Sequence, residues 1–315
     1  MAGFLESRTY GNISDSRTLR KIKRRWQLYL FVLLPVAHTF IFAYIPMYGI
    51  TLAFKDFSIR DGILASPWAG FRHFERFFNA PDFWLLVRNT VALSVYSILL
   101  GFPIPILLAL FLNEVRFKFF KKTVQTVTYA PFFISTVVMV GMMIQLLALR
   151  GGLFNNIITM FGGEAIHFMG RGSMFRSIYV ISGVWQGMGF ASVLYIAALS
   201  AVDPNLYEAA IIDGATRFQK IRHIDLPTIS PTITLSLILT VGGLMSIGAD
   251  KALLMQNNLN LMHSEIIATY VFKVGLIQGD FSFSTAVGLF NTVINFALLF
   301  LANKVCQKIS ATSMW

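Results

Sequence analysis

Glu208-Ala209-Ala210-Ile211-Ile212-Asp213-Gly214-Ala215 is a charged stretch that separates two apolar segments, each long enough to cross a membrane. It lies within residues 203–226, and Leu226-Pro227 opens the apolar segment that follows. A compact charged loop between two spans faces the aqueous phase, where another protein can bind it. The stretch therefore predicts a polytopic membrane protein that presents a structured loop to a partner. These residues alone leave a solvated helical hairpin without a partner as the alternative.

Local signals predict a helix-turn-helix within this loop. Asp203 can cap a helix that begins at Pro204, because both residue types are favoured at those positions. Gly214 can adopt a positive φ and end that helix. A second short helix is predicted through Phe218 and Ile221, before the next span begins.

The composition extends this interpretation to the whole chain. Of the 315 residues, 56% are hydrophobic and 13% are charged, and the mean hydropathy is +0.65. A soluble domain would carry roughly 25% charged residues. Six charge-free runs are each long enough for a transmembrane helix; they cover residues 26–54, 89–113, 123–149, 177–202, 226–249 and 281–303. We therefore predict an all-α fold with six transmembrane helices.

The same pattern predicts one transmembrane domain over residues 26–310, with a basic arm (1–25) before it and a short tail (311–315) after it. Lys and Arg number 16 in the arm, the tail and the loops on their side, against 10 in the segments on the other side. Because cytosolic loops carry the excess of Lys and Arg, both termini are predicted to be cytosolic. The parts between spans are the outer segment 55–88, the outer loop 150–176, the cytosolic loop 203–226 and the outer loop 250–280.

The outer segment contains an expected amphipathic helix. Phe71, Phe74, Phe77 and Phe78 recur at helical spacing with charged residues between them, a pattern suited to the membrane interface. Asp82 is placed to cap the helix that follows.

Prolines predict bends in two of the spans. Pro103 and Pro105 lie in the second apolar run and Ala130-Pro131 in the third, and proline removes a backbone donor from a helix. In the glycine-rich outer loop, residues 153–161 predict one short apolar helix.

No catalytic constellation is present in the sequence. The five histidines lack metal-ligand spacing, and the chain has neither a serine-hydrolase elbow nor a phosphate-binding G-x-x-x-x-G-K-[ST] loop. We therefore expect a transport protein rather than an enzyme, with no cofactor, no metal and no nucleic-acid partner. The basic arm is explained by topology and by contact with membrane lipid.

The predicted spans lack charged residues, although ion-coupled carriers usually keep ionisable groups near the midplane. Their neutral amides, hydroxyls and aromatic rings suit sugars, which present hydroxyl groups and apolar ring faces. Hydrogen bonding between helices is the alternative role for each of these groups. The candidate substrate-path residues are Gln145, Trp185, Gln186, Tyr195, Asn291 and Asn295.

The polar loop resembles the EAA loop of permease subunits of type I bacterial ABC importers, in which E-A-A, D-G-A and a later I-x-L-P recur. Phe218 stands where tryptophan is frequent in that family, and Ile221 stands where an aromatic residue is common. The resemblance implies that the loop couples the chain to an ATPase subunit. The implied coupling residues are Glu208, Ala209, Ala210, Asp213, Gly214, Ala215, Phe218, Ile221, Leu226 and Pro227.

The resemblance also implies the partners and the location. A second, homologous permease subunit would complete the path, two ATPase subunits would bind ATP and Mg, and an external solute-binding protein would deliver the substrate. The chain would lie in the bacterial inner membrane. Residues 221–224 are similar to the branch that handles acidic oligosaccharides such as alginate or aldouronate fragments. A permease for neutral oligosaccharides or glycerol phosphate remains the alternative, followed by an ion-coupled secondary carrier.

Overall fold

The computed structural model describes residues 24–309, and it is built from helices, with one isolated β-bridge between Lys55 and Trp68 in that range. Residues 1–23 of the predicted basic arm and the predicted tail lie outside the described residues. The all-α prediction is therefore confirmed for the described part of the chain.

Five described helices are long and apolar enough to cross a membrane, and a bent pair of helices makes a sixth if it counts as one span. They are the first span (Trp26–Phe54), the second span (Phe83–Glu114), the bent pair (Lys118–Phe133 with Thr136–Leu146), the fourth span (Gly172–Leu199), the fifth span (Arg217–Gly242) and the sixth span (Phe281–Lys308). Shorter helices cover Gly62–Ala65, Arg72–Phe78, Leu153–Met160, Pro204–Ile212, Ala249–Met255, Leu261–Ser264 and Ile267–Ile277.

The third apolar run does not form one straight helix. Its two halves meet at an angle of 100°, just after a 3₁₀ turn at Ala130–Phe133 that contains Pro131. Ser135 then caps the second half by accepting a hydrogen bond from the backbone of Val138 at 3.3 Å. The proline ends one helix and the serine starts another. The bend predicted at this proline is therefore present, but as a break between two helices and not as a kink within one helix. The second span breaks at Phe102, next to Pro103, as expected.

The second helix predicted in the loop 203–226 is also not a separate element. Helix Arg217–Lys220 continues through a π-helical turn at Ile221–Asp225 into helix Leu226–Gly242. The Leu226 N–H donates to the Ile221 carbonyl, one residue further back than in an α-helix. This wider turn precedes Pro227, which has no N–H to donate. Leu226-Pro227 therefore lies inside the fifth span, which begins at Arg217 and not at Leu226 as predicted.

A helix is present at Arg72–Phe78, where the sequence predicted an amphipathic helix, but the predicted phenylalanines do not share one face. Phe77 is fully buried, whereas Phe71 and Phe78 are largely exposed. The Phe77 ring packs edge-on against Phe290 of the sixth span, with ring centroids 5.4 Å apart. Asp82 occupies the cap position of the next helix without making the side-chain cap bond that the sequence predicted.

The segment 250–280 is packed into the protein and is more than a surface loop. Ile266 and Ile267 are fully buried, and each belongs to a hydrophobic cluster with residues of the spans. The buried Asn89 amide donates to the carbonyls of Met262 and Glu265, both at 3.0 Å, and its oxygen accepts from Arg176. A polar junction therefore fixes this segment between the second and fourth spans. The short helix predicted in the loop 150–176 is present at Leu153–Met160.

Candidate functional site

The loop 203–226 begins with a helix that is capped at both ends. The Asp203 carboxylate accepts from the Asn205 N–H at 3.0 Å, and Pro204 is the first helical residue. At the other end Gly214 has a φ of +75°, as predicted. Its N–H donates to Ile211 and the N–H of Ala215 donates to Ala210, the two hydrogen bonds of a Schellman motif. Helix Pro204–Ile212 therefore has a defined start and a defined stop.

A second cap follows at once and starts the fifth span. The Thr216 hydroxyl accepts from the Gln219 N–H, and the Gln219 side chain accepts from the Thr216 N–H at 2.7 Å. This capping box satisfies backbone donors at both of its residues. Because the chain between the two helices is only a glycine turn and a cap, the two helices have little freedom to move relative to each other.

This capped hairpin has an exposed apolar surface in the single chain. Ile212 is 86% exposed and Phe218 is 70% exposed, and Ile211 beside them is also largely exposed. Large apolar side chains exposed together on a rigid element are typical of protein interaction sites. Glu208 and Ala209 are exposed on the same hairpin. Glu208 offers a charged hydrogen-bond acceptor, and the small side chain of Ala209 lets a partner approach the backbone closely.

A polar cluster, here called the latch, binds the hairpin to the end of the second span. Tyr207 donates to the Asp225 carboxylate at 2.5 Å and accepts from the Asn113 amide at 3.3 Å. The Lys220 ammonium lies 3.2 Å from the Glu114 carboxylate, and each of these two side chains is 14% exposed. The latch consists of these five residues. Asn113 and Tyr207 are 94 residues apart in the chain, and Glu114 and Lys220 are 106 residues apart.

Burial determines the chemistry of the latch. Asp225 is fully buried, and its second carboxylate oxygen has no hydrogen-bond partner among the described residues. Burial and the bond to Asp225 raise the pKa of Tyr207 to about 12, so its phenol stays protonated and donates at neutral pH. Removing the Tyr207 hydroxyl would therefore leave a buried carboxylate with fewer donors.

An open groove runs beside the latch between the hairpin and the segment after the second span. It has a volume of about 580 Å³. Phe218 and Ile221 line one side, and Phe117 and Phe120 line the other. Arg217 and Arg116 add positive charge at this groove. The groove could therefore bind an apolar side chain of a partner, and it has a cationic residue on each side.

The predicted coupling residues divide into an exposed set and a half-buried set. In the half-buried set, Ile221 and Leu226 pack against a hydrophobic cluster of the spans. The exposed residues are Glu208, Ala209, Asp213, Gly214, Phe218 and Pro227, and the half-buried ones are Ala210, Ala215, Ile221 and Leu226.

The predicted substrate-path residues do not converge on one cavity within this chain. Asn295 accepts from the Met245 N–H at 2.8 Å, and Asn291 donates to the Met245 carbonyl at 3.1 Å. Both amides therefore hold the chain just after the fifth span ends. Gln186 donates to the Ile134 carbonyl at 2.8 Å, at the break of the bent pair. For these three residues, hydrogen bonding within the protein is the role that the structure displays.

The other three predicted path residues lie apart from one another. Tyr195 lines a cavity of about 690 Å³ between the second, fourth and fifth spans. Trp185 lines a different, methionine-rich cavity of about 520 Å³. The Gln145 side chain is exposed.

Comparison with known proteins identifies the class of this chain. Residues 101–310 match the family model described as the binding-protein-dependent transport system inner membrane component. The chain belongs to this family of permeases. As a permease subunit of an ABC transporter it is an inner membrane protein and not itself an enzyme, and its family works with ATPase partners.

Close relatives of the permease match it over nearly its whole length. It is 44% identical to the polygalacturonan/rhamnogalacturonan transport system permease protein YteP of Bacillus subtilis (strain 168), covering 93% of this chain and 91% of YteP. A solved bacterial ABC transporter involved in the import of the acidic polysaccharide alginate is 37% identical, with a TM-score of 0.86, covering 93% of this chain and 99% of that chain. A bacterial alginate ABC transporter in complex with alginate pentasaccharide-bound periplasmic protein is 36% identical, with a TM-score of 0.87 and coverage of 95% and 100%.

The latch of the permease was not predicted from its sequence. The available signal was the position of Asn113-Glu114 and Asp225 at the ends of two apolar runs, where charged groups border the spans. That position does not reveal which groups meet. The pairing across 94 residues arises only when helix Pro204–Ile212 lies next to the end of the second span.

Proposed function

We propose that this permease forms half of the translocation path of an ATP-driven importer for oligosaccharides, and that acidic oligosaccharides are its substrates. The observation that carries the proposal is the near full-length likeness to a polygalacturonan/rhamnogalacturonan permease, supported by the likeness to the alginate transporter. Both relatives are named for polysaccharides that contain uronic acids. The absence of charge in the predicted spans agrees with a sugar rather than an amino acid or a metal ion.

The proposed ATPase docking site is the capped hairpin. Its exposed Ile212 and Phe218 supply apolar contact, and Glu208 supplies an acceptor for a cationic or backbone donor of the ATPase. The two caps keep these groups in one arrangement, which lowers the entropy lost on docking. The ATPase subunits would bind ATP and Mg, and this chain would carry out no step of hydrolysis.

The proposed route of force transmission is the latch. Motion of the docked ATPase displaces the hairpin, and the hairpin is bonded to the second span through Tyr207 and Lys220. The hairpin is also continuous with the fifth span through the π-helical turn. A displacement at the hairpin would therefore reach two spans together, and both of them line the cavity that contains Tyr195.

The proposed complex contains a second, homologous permease subunit and an external binding protein. The first span has no buried residue in its first helix, Trp26–Thr39, and its large apolar side chains are exposed in this single chain. Lipid and the second subunit would cover this surface. We place both termini and the hairpin in the cytosol, following the bias of Lys and Arg.

A reconstituted complex with its own binding protein tests the substrate assignment. ATPase stimulation is measured with uronate oligomers, neutral maltodextrins and peptides, and uronate oligomers are expected to stimulate most. Stimulation by peptides alone would contradict the sugar assignment, whereas stimulation by maltodextrins alone would contradict only its acidic part. Uptake that needs ATP in vesicles without an ion gradient would separate this function from an ion-coupled carrier.

A further inference from the structure

Lys251 is a buried lysine beside the fourth span with a single hydrogen bond. It is 8% exposed, and its ammonium donates to the Tyr179 carbonyl at 2.7 Å. A lysine ammonium has three donors, and lysine is rarely buried unless it is paired. The ion pairs among residues 24–309 do not include Lys251. The ring of Tyr179, with its centroid 4.7 Å from the ammonium, is its other electrostatic partner.

The second buried lysine in the described range shows how a structural lysine is bound in this protein. Lys55 donates to the carbonyls of Ile63 and Leu64 at 2.7 and 3.0 Å, and its ammonium lies 5.1 Å from the centroid of the Trp68 ring. These contacts fix one short outer turn. Lys251 makes one hydrogen bond where Lys55 makes two, so its structural contacts account for its burial less completely.

The fourth span leaves room for the Lys251 ammonium. Gly183 lies one turn after Tyr179, and a β-carbon added at Gly183 would lie 3.2 Å from the ammonium nitrogen. The same glycine lines a cavity of about 210 Å³ between the second and fourth spans, together with Ser97, Gly101, Tyr179 and Gly187. The cation therefore lies beside two residues that line this cavity, Tyr179 and Gly183.

The location suits a substrate that arrives from outside. Tyr179 is seven residues after the start of the fourth span at Gly172, which places it roughly 10 Å from that end at 1.5 Å per residue. Lys251 itself belongs to the segment predicted to lie on the outer side. A cation here would meet a substrate early in its passage.

We propose that Lys251 is an anion-binding residue of the substrate path, and that it pairs with the carboxylate of a uronic acid unit as an acidic oligosaccharide passes the outer third of the fourth span. This assignment rests on the proposed function, since it requires an acidic substrate. The two donors left over on the ammonium would bind the carboxylate, and Gly183 keeps the approach open. Burial lowers the pKa of Lys251 to about 8, so the group still carries its charge at neutral pH.

The test compares the wild type with Lys251→Met and Lys251→Arg in proteoliposomes that contain the whole transporter and its binding protein. Methionine keeps the length and apolar character of the side chain without the charge, and arginine keeps the charge. The two probes are tetragalacturonate and its fully methyl-esterified form, which has the same rings without carboxylates. Uptake of each probe is measured for each variant, together with the melting temperature of the complex.

Lys251→Met is expected to lower tetragalacturonate uptake by about tenfold or more, the scale of one charge-assisted hydrogen bond. Uptake of the ester and the melting temperature should stay near the wild-type values, and Lys251→Arg should retain most of the acidic uptake. Equal loss for both probes would mean that Lys251 is a packing residue, and unchanged uptake would mean that it has no role in transport; either result overturns the proposal. Failure of the wild type to transport tetragalacturonate would instead overturn the substrate class, and this assignment with it.

Discussion

Replacing Gly214 by valine should uncouple the permease from its ATPase while leaving the fold intact. Gly214 has a φ of +75°, and a β-carbon added there would meet no atom within 4 Å. The cost of a side chain is therefore backbone strain alone, roughly 1–2 kcal/mol for a residue other than glycine and more severe for a β-branched one. The two Schellman hydrogen bonds contribute about 1 kcal/mol each. Strain of that size competes with the turn itself but not with the packing of the spans.

The expected result is a loss of affinity for the ATPase of about 5- to 30-fold, the factor that corresponds to one or two kcal/mol. ATPase affinity is measured by titration of the detergent-solubilised permease, and ATP-dependent uptake should fall with it. Gly214→Asn is the conservative control, because asparagine tolerates a left-handed conformation, and it should bind the ATPase nearly as well as the wild type.

Gly279 provides a matched control for strain. Its φ is also +75°, a β-carbon there also meets nothing within 4 Å, and it lies in the segment predicted to be on the outer side. Gly279→Val therefore introduces the same kind of strain away from the hairpin and should keep wild-type ATPase affinity. Equal losses for Gly214→Val and Gly279→Val, or full affinity of Gly214→Val, would refute the proposal that this turn positions the docking surface.

Three further outcomes are expected. Tyr207→Phe removes a donor from the buried Asp225 carboxylate, so it should destabilise the hairpin by about 1–3 kcal/mol and increase hydrogen exchange of its amides; unchanged exchange would argue against the latch. Asn295→Leu removes the acceptor for the Met245 N–H, so it should lower the melting temperature without changing substrate preference. An altered substrate preference at an unchanged melting temperature would instead show that Asn295 contacts the substrate. Reporter fusions after Lys308 and within residues 150–176 should report opposite sides of the membrane, and the same side for both would contradict the proposed orientation.

The amino-acid sequence by itself determined the features of this permease that depend on neighbouring residues. Runs of apolar residues predicted the spans, because a helix in lipid needs about 20 of them in succession. Asp203-Pro204 and Gly214 predicted the start and end of the first hairpin helix, because caps act through the backbone of the same turn. The sequence also indicated the family, because the residues of the hairpin motif follow one another closely in the chain.

Tertiary structure alone decided how distant residues meet. Whether Asn295 faces a substrate or the Met245 backbone depends on the rotation of the sixth span against the end of the fifth, and neutral polar residues suit both roles. The 100° break after Pro131 depends on Gln186 being available for the Ile134 carbonyl and on Ser135 as a cap. The latch joins residues 94 positions apart. Such contacts arise from the packing of whole helices, and hydropathy does not specify packing because the lipid-facing and protein-facing surfaces of a span are both mostly apolar.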